Sequence, residues 1–328
     1  MANPTPQPLR FIDLFAGIGG FRLALEKQGA LCVCSSEWDL HAQATYRANF
    51  PSENIFGDIT QIREEDIPSH DILCAGFPCQ AFSVSGKQKG FEDTRGTLFF
   101  EIMRIITFHR PKVIFLENVK NLVKHNGGET LAVILKNLDT AGYNVFHQVL
   151  NASDYGVPQA RQRVYFVGFR KDLGIDRFEF PKREATIVKL KDCLLDSNDP
   201  EVMDLIIDRT DIEMNNKKVI AQNKPIQIGK IAQGRQGERI YSTEGHAITL
   251  SAHGGGIVGK TGGYLVDGKV RQLHPRECAR VQGFPESYKI IASNSQAWKQ
   301  FGNSVAVPVL EKIASLIFKK LMSRVVKK

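Results

Sequence analysis

A chain of 328 residues, 42% hydrophobic and 24% charged, is long enough to bury a large core in one or two domains, and no run in it approaches the ~20 apolar residues of a membrane span. Its six cysteines (Cys32, Cys34, Cys74, Cys79, Cys193 and Cys278) form no Cys-x-x-Cys pair and no metal-ligand spacing with histidine, which argues against bound metal and for free thiols in the reducing cytoplasm. The formal charge of +8 favours a polyanionic partner, but a basic surface is common and needs a motif behind it.

The segment from Met1 to Pro8 is proline-rich and lacks the apolar core of a signal peptide. Leu9 to Phe15 then reads as a strand, Ala16 to Gly20 as a tight turn, and Phe21, Ala24 and Leu25 as one face of a helix that Gly29 stops. A second strand, Ala30 to Cys34, ends at Glu37, Trp38 and Asp39. This lies about 20 residues past the turn, where α/β nucleotide folds place a carboxylate for ribose hydroxyls. Gly17-x-Gly19-Gly20 lacks the third glycine of the dinucleotide fingerprint, so a phosphate-free nucleoside suits the turn better, and a plain strand-to-helix turn is equally open for the glycines alone. Asn54 to Ile59 is a third short strand. It ends at Asp58, which could receive an adenine amino group while Trp38 and Ile59 sandwich the ring.

The fourth strand, Asp71 to Ala75, stops abruptly at Gly76-Phe77-Pro78-Cys79 and delivers a thiol into a polar loop. Most unpaired cysteines are small buried hydrophobes. Here the strand ends in Gly and Pro at the carboxyl edge of the sheet, where open α/β folds put their chemistry, and Pro78 sets the backbone that aims the side chain. Cys79 therefore reads as a nucleophile. The basic loop Ser83 to Gly90 that follows could close over a phosphate backbone, or be an ordinary solvated loop. Leu98 to Phe108 reads as a helix and Lys112 to Val119 as a fifth strand ending at Glu117. If the two strands are parallel neighbours, their carboxyl ends lie ~5 Å apart, so Cys79 and Glu117 can reach one small ring. Tyr143 to Leu150 alternates like a further strand. After the Gly156-Val157-Pro158 turn, Arg161 and Arg163 are expected to share a face of the next strand and to serve a carbonyl oxygen, a phosphate or an acidic side chain.

From about Pro181 the sequence becomes charged and less periodic, then rich in glycine at Gly234 to Ser242 and Thr249 to Gly256. Such loops let backbone approach a groove while Arg, Gln, Ser and Thr present forked donors to base edges. Gln300 to Ser304 precedes an apolar helix, Val305 to Leu321, that can pack back on the first domain.

Taken together, Phe15-Ala16-Gly17-x-Gly19-Gly20, Gly76-Phe77-Pro78-Cys79-Gln80, Glu117-Asn118-Val119, Gln159-x-Arg161-x-Arg163 and Gln300-Phe301-Gly302-Asn303-Ser304 resemble, in order and spacing, the cytosine-C5 DNA methyltransferases across nearly the whole chain. The resemblance implies a Rossmann-like S-adenosylmethionine-dependent methyltransferase domain with a mostly parallel sheet (residues 1–190 and 300–328). It also implies a smaller, mainly β target-recognition domain (191–273) and a return segment (274–299). It implies that Phe15, Gly17, Gly19, Gly20, Glu37, Trp38, Asp58, Ile59, Pro78, Leu98 and Asn303 hold S-adenosyl-L-methionine, with S-adenosyl-L-homocysteine as product. Cys79, Glu117, Arg161 and Arg163 would be catalytic. Double-stranded DNA would be met by Ser83, Ser85, Lys87, Gln236, Arg239, Thr249, His253, Gly255 and Gly256.

The chemistry of the resemblance is consistent with these residue types. Cytosine C5 is too poor a nucleophile to take a sulfonium methyl directly, and addition of a thiolate at C6 makes C5 enamine-like. Within the recognition loops, Gln-Gly-Glu-Arg-Ile-Tyr-Ser (236–242) implies GCGC as target with methylation of its first cytosine, while Arg235 and His253 depart from the pattern. A working monomer, a modification role beside a cognate restriction endonuclease, and no membrane association are expected. The rival readings are a tRNA cytosine methyltransferase and a catalytically silent DNA-binding protein. The glycine-rich second domain argues against the first and the intact Cys79, Glu117 and Arg163 against the second.

Overall fold

The computed structural model describes residues 7–51, 55–78, 98–184, 188–215 and 219–325. Its first half is laid out as β1 (Arg10–Leu14), α1 (Gly20–Glu26), β2 (Leu31–Ser36), α2 (Leu40–Asn49), β3 (Ile55–Phe56), β4 (Ile72–Gly76), α3 (Leu98–His109), β5 (Val113–Val119), α4 (Glu129–Thr140), β6 (Tyr143–Asn151) and β7 (Gln162–Arg170). After these come α5 (Pro200–Met203), β8 (Ile212–Met214), β9 (Ile226–Ile231), β10 (Arg239–Ser242), β11 (Gly263–Val266), β12 (Lys269–Arg271), α6 (Pro275–Val281), α7 (Asn294–Asn303) and α8 (Val307–Val325).

The first seven strands make one sheet in the order β3-β2-β1-β4-β5-β7-β6. Every neighbouring pair is parallel except the two made by β7, which runs against β5 and β6. The expected mostly parallel α/β sheet is therefore present. Its order reverses between β1 and β4, the switch point where such sheets leave a crevice outside their carboxyl ends.

Both faces are covered, and the two-residue period of the strands decides which residue goes where. Phe11 packs with Phe21, Ala24 and Leu25 of α1 and with Val309, Leu310, Ile313 and Ile317 of α8. Ile12 and Leu14 pack on the other side with Ile102, Ile105 and Ile106 of α3 and with Ile134 and Leu138 of α4. Each such fully buried aliphatic side chain contributes about 1.5–3 kcal/mol relative to exposure. The stretch Asn294–Ser323 is long and apolar enough to cross a membrane by length and composition, but 61% of its most apolar window is buried. It is broken between α7 and α8, and the α8 residues named above are its core face.

A second sheet, β12-β11-β10-β9-β8, is antiparallel except for the parallel pair β10 and β11. Its own core is small, built on Ile228, Ile231, Ile240, Val258 and Val270. Tyr241 and Tyr264 turn the other way and join Ile18, Leu273, Cys278, Phe284 and Phe301. A buried ion pair ties β12 to α6: Glu277 accepts from Arg271 at 2.7 and 2.8 Å and from the amides of Leu195 and His274 at 2.8 Å. The segment expected as a return, 274–299, thus holds α6 and most of α7, and α7 runs across the boundary expected at residue 300.

Candidate active site

Four parallel strands end side by side and present expected residues in the order of the sheet: Asp58 beyond β3, Glu37 beyond β2, Phe15 beyond β1 and Pro78 beyond β4. The turn after β1 is left-handed at Phe15 (φ 57°), Gly17 (φ 55°) and Gly19 (φ 85°). Holding a phenylalanine there costs about 1–3 kcal/mol, a strain that gathers at functional sites. The amides of Ala16, Gly17 and Gly19 are all engaged, by Ser36 O at 2.9 Å, Glu37 Oε2 at 2.8 Å and Ala16 O at 2.9 Å. These three amides are accordingly not free to form a nest of the kind that binds phosphate.

Those features fit a phosphate-free nucleoside. Glu37 also accepts from Asp39 N at 2.8 Å, and burial raises its carboxyl above the usual range against the pull of these amides. Each oxygen keeps a second lone pair for a hydroxyl donor. Trp38 beside it is 77% exposed, Asp58, Pro78 and Asn303 are exposed and Leu98 half-buried, and a Cβ on Gly17 would meet nothing within 4 Å. Three of the expected residues sit differently. A Cβ on Gly19 would lie 2.4 Å from the Phe50 ring and one on Gly20 2.4 Å from Val305, so these two glycines serve close packing of the turn. Ile59 is 2% exposed and offers a ligand little surface.

Cys79 lies outside the described residues, as do Ser83, Ser85 and Lys87. The strand end that leads to Cys79 is well defined. Gly76 of β4 stands opposite Glu117 of β5 in parallel register. The Asn118 amide donates to Phe77 O at 2.8 Å and its own oxygen accepts from Val119 N at 2.7 Å. Phe77 is buried and packs on Phe99, ring centroids 5.9 Å apart. The peptide entering Pro78 is thus clamped from the neighbouring strand by Asn118, whose role the sequence did not reveal. A buried amide at the carboxyl end of a strand, next to Glu117, was the available signal.

Arg163 stands opposite Val119 on β7 while Glu117 stands opposite Tyr165, which makes Arg163 and Glu117 diagonal neighbours on one face. Arg163 Nε lies 3.1 Å from Glu117 Oε1. The contact is an ion pair without hydrogen-bond geometry, so buried Oε1 accepts from no donor among the described residues. Burial raises the Glu117 carboxyl above its ordinary range, with Arg163 and then Arg161 opposing. A carboxyl biased toward its proton, beside a fixed cation, can donate to a ring nitrogen while the guanidinium meets a carbonyl oxygen.

Arg161 does not share that face. It precedes β7, so strand alternation does not govern it. Its guanidinium is buried and donates to Leu250 O at 3.3 Å, Gly302 O at 3.2 Å and Ser304 O. Burial, and then Arg163, work against its charge. The side chain is a clasp joining the start of β7, the loop carrying Thr249 and His253, and the turn carrying Asn303. Arg161→Lys keeps the charge but loses the fork. It should cost about 1–3 kcal/mol of stability through unpaired carbonyls and raise KM for cofactor and duplex together, as read by chemical unfolding and steady-state kinetics. A selective loss of kcat at unchanged stability would return Arg161 to the chemistry.

The residues expected to meet DNA converge for a topological reason. The turn 232–238 enters β10, and 243–262 is the crossover that the parallel β10–β11 pair requires; because Ile240 pairs with Gly263, both loops reach the same end of the sheet. Gln236, Arg239, His253, Gly255 and Gly256 are exposed there. Thr249 is half-buried, its hydroxyl donating to Ala160 O. A cleft of about 350 Å³ is lined by Val119, Lys120, Asn151, Gln162 and Arg163 and by Thr249 of the crossover. Lys120, which donates to Gln162 at 2.6 Å, and Asn151 are lining residues that pattern reading did not single out.

The family model for C-5 cytosine-specific DNA methylases matches residues 9–319. The Type II methyltransferase M.HhaI of Haemophilus parahaemolyticus is 59% identical over 307 residues, covering 93% of each chain. M.HpaII of Haemophilus parainfluenzae is 44% identical over 340 residues, covering 98% of this chain and 92% of its own. Among solved structures, the S. pombe Dnmt2 methyltransferase superposes with a TM-score of 0.70 at 19% identity, covering 95% of this chain and 99% of that one. The Entamoeba histolytica methyltransferase EhMeth does so at 0.72 and 19%, covering 98% and 99%. At that identity the two structures speak for the fold alone.

Proposed function

The chain belongs to the C-5 cytosine-specific DNA methylase family and is a DNA (cytosine-5-)-methyltransferase, and from that membership we propose how its residues act and on which sequence. The observation that carries the reading is the buried Glu117–Arg163 pair beside the strand end that leads to Cys79. Bound S-adenosylmethionine supplies an electrophilic methyl group. Phe15, Gly17, Glu37, Trp38, Asp58 and Asn303 hold it at the edge formed by β1, β2 and β3. The Cys79 thiolate adds to C6 of the target cytosine, with Glu117 placing a proton on N3 and Arg163 steadying O2, so that C5 becomes nucleophilic. After transfer, which leaves S-adenosyl-L-homocysteine, loss of the C5 proton, departure of Cys79 as thiolate and return of the N3 proton to Glu117 restore the aromatic ring.

Access to both ring faces requires the nucleotide to leave the duplex, at a cost of a few kcal/mol. Ser85 and Gln236 fill the vacated stack, and Ser83, Lys87 and Thr249 meet phosphates. Residues 191–273 form the target-recognition unit and 1–190 with 300–328 the catalytic unit. The target is GCGC, modified at its first cytosine, a reading the 236–242 segment supports; the Type II name of the relatives supports a role beside a cognate restriction endonuclease. The enzyme works as a monomer in the cytoplasm.

Incubation with tritiated S-adenosylmethionine, a mixed-sequence duplex and tRNA as competitor, followed by base-resolution mapping, tests the reading. C5-methylcytosine confined to GCGC is expected. Another motif would keep the chemistry and assign Arg235 or His253 a part in specificity; transfer only to tRNA, or none, would overturn it.

A further inference from the structure

The residues proposed to read the target sit on two loops that touch through bare backbone. A Cβ on Gly237 of the first loop would fall 1.8 Å from Gly255 O of the second; within the second loop, which folds back on itself there, one on Gly259 would fall 2.0 Å from the same oxygen and one on Gly254 1.8 Å from Gly259 O. These are collisions with main chain, which has no rotamer by which to yield. The crossing is also hydrogen-bonded, Val258 N donating to Gly237 O at 2.9 Å, and the second loop is closed on itself by Ser251 N donating to Lys260 O at 2.9 Å. Val258, at its centre, is fully buried in the core of the recognition sheet.

The crossing is anchored to the catalytic sheet as well. A Cβ on Gly302, at the end of α7, would lie 2.3 Å from Ala252 N. Arg161 holds Leu250 O, and Lys260 Nζ donates to Ser295 O at 3.2 Å and Oγ at 2.8 Å. Gln236 on one loop and His253 on the other, both exposed, are therefore set at a spacing that side-chain adjustment cannot change.

We infer that Gly237, Gly254 and Gly259 are positioning residues for target choice, Gly237 seating the first loop on the second and Gly254 and Gly259 folding the second on itself, so that the two form one body whose shape fixes which run of base pairs is accepted. This rests on the reading of the loops as target-recognition elements. It does not depend on the target being GCGC. Specific readout requires donors placed to within a hydrogen bond's tolerance of base edges. Parting the loops by the width of a methyl group should spare duplex binding through phosphates and blur the choice of bases.

The test uses the full chain, native and as Gly237→Ala, Gly259→Ala and Gly263→Ala. Each is given a pool of duplexes with every sequence around a cytosine and sequenced at base resolution. The ratio of methylation at the native enzyme's own preferred site to its single-base neighbours is read within one reaction, so it is independent of the fraction of protein folded. Gly237→Ala and Gly259→Ala should each lower that ratio tenfold or more with S-adenosylmethionine binding unchanged. Gly263→Ala, whose Cβ would meet the Val258 side chain only at 3.3 Å and Arg239 O at 3.4 Å, should keep it.

If one collision variant fails to fold, the other decides, since both strike the same carbonyl. An unchanged ratio at any overall rate would overturn the inference, as would an equal loss in Gly263→Ala. A native site other than GCGC would refute the target assignment while leaving the glycine effect measurable. A native enzyme without a preferred duplex site would overturn both.

Discussion

Replacing Cys79 with serine should reduce methyl transfer to the level seen without enzyme, while duplex and S-adenosylmethionine binding stay largely in place. In the proposed mechanism the thiolate is the nucleophile, and a serine hydroxyl in the same position is far less acidic and scarcely populates its anion at neutral pH. Nothing described around Cys79 depends on the sulfur. The clamp of Asn118 on Phe77 O and the register of Gly76 with Glu117 are both built from backbone and from other side chains. A duplex bearing fluorine at C5 of the target cytosine separates covalent catalysis from simple proximity, because fluorine cannot leave as a cation. The native enzyme should be trapped on it in a complex that survives denaturation, and Cys79→Ser should not. Sustained turnover by the serine variant, or a trapped complex formed without Cys79, would refute addition of this thiol to C6.

Much of this site was legible because chemistry and local pattern coincide there. Each of the first five strands was signalled by a short apolar run, and each ends where a carboxylate, a cysteine or a glycine breaks the pattern. The convergence of Phe15, Glu37, Asp58 and Pro78 follows once those strands are parallel and the sheet reverses at β1 and β4. What pattern could not supply was the partner of each polar side chain. Arg161 and Arg163, two residues apart, look equivalent in sequence, yet strand geometry begins only at Gln162, so one guanidinium meets Glu117 and the other meets three carbonyls. Gly17, Gly19 and Gly20 look alike too, and only the positions of Phe50 and Val305, just past α2 and just before α8, separate an open glycine from two needed for packing. The Arg271–Glu277 pair gave no signal at all, since its burial depends on the second sheet docking on α6. Long-range packing decides these cases, and a single sequence records only its local part.

Glu117→Gln is expected to lower kcat by about 10²–10⁴, the usual worth of a positioned proton donor, with a smaller effect on KM for DNA. Glutamine keeps the volume and one donor, so cytosine can still be held, but it cannot pass a proton to N3 as the thiolate adds. The pH profile carries the sharper prediction. Burial raises the Glu117 carboxyl against the opposing pull of Arg163 and Arg161, which extends its protonated form to higher pH than an exposed glutamate would allow. If that form is the reactive one, native kcat/KM falls as pH rises through the raised value, and the glutamine variant, lacking the group, loses that alkaline limb while keeping any limb that belongs to Cys79. The variant also leaves the half-buried Arg163 beside a neutral amide, a loss of stability that must be kept apart from the loss of chemistry. Single-turnover rates normalised to bound duplex do so. A variant with native kcat, or one that retains the same alkaline limb, would show that N3 receives its proton from elsewhere and would leave the Glu117–Arg163 pair with orientation of the ring as its role.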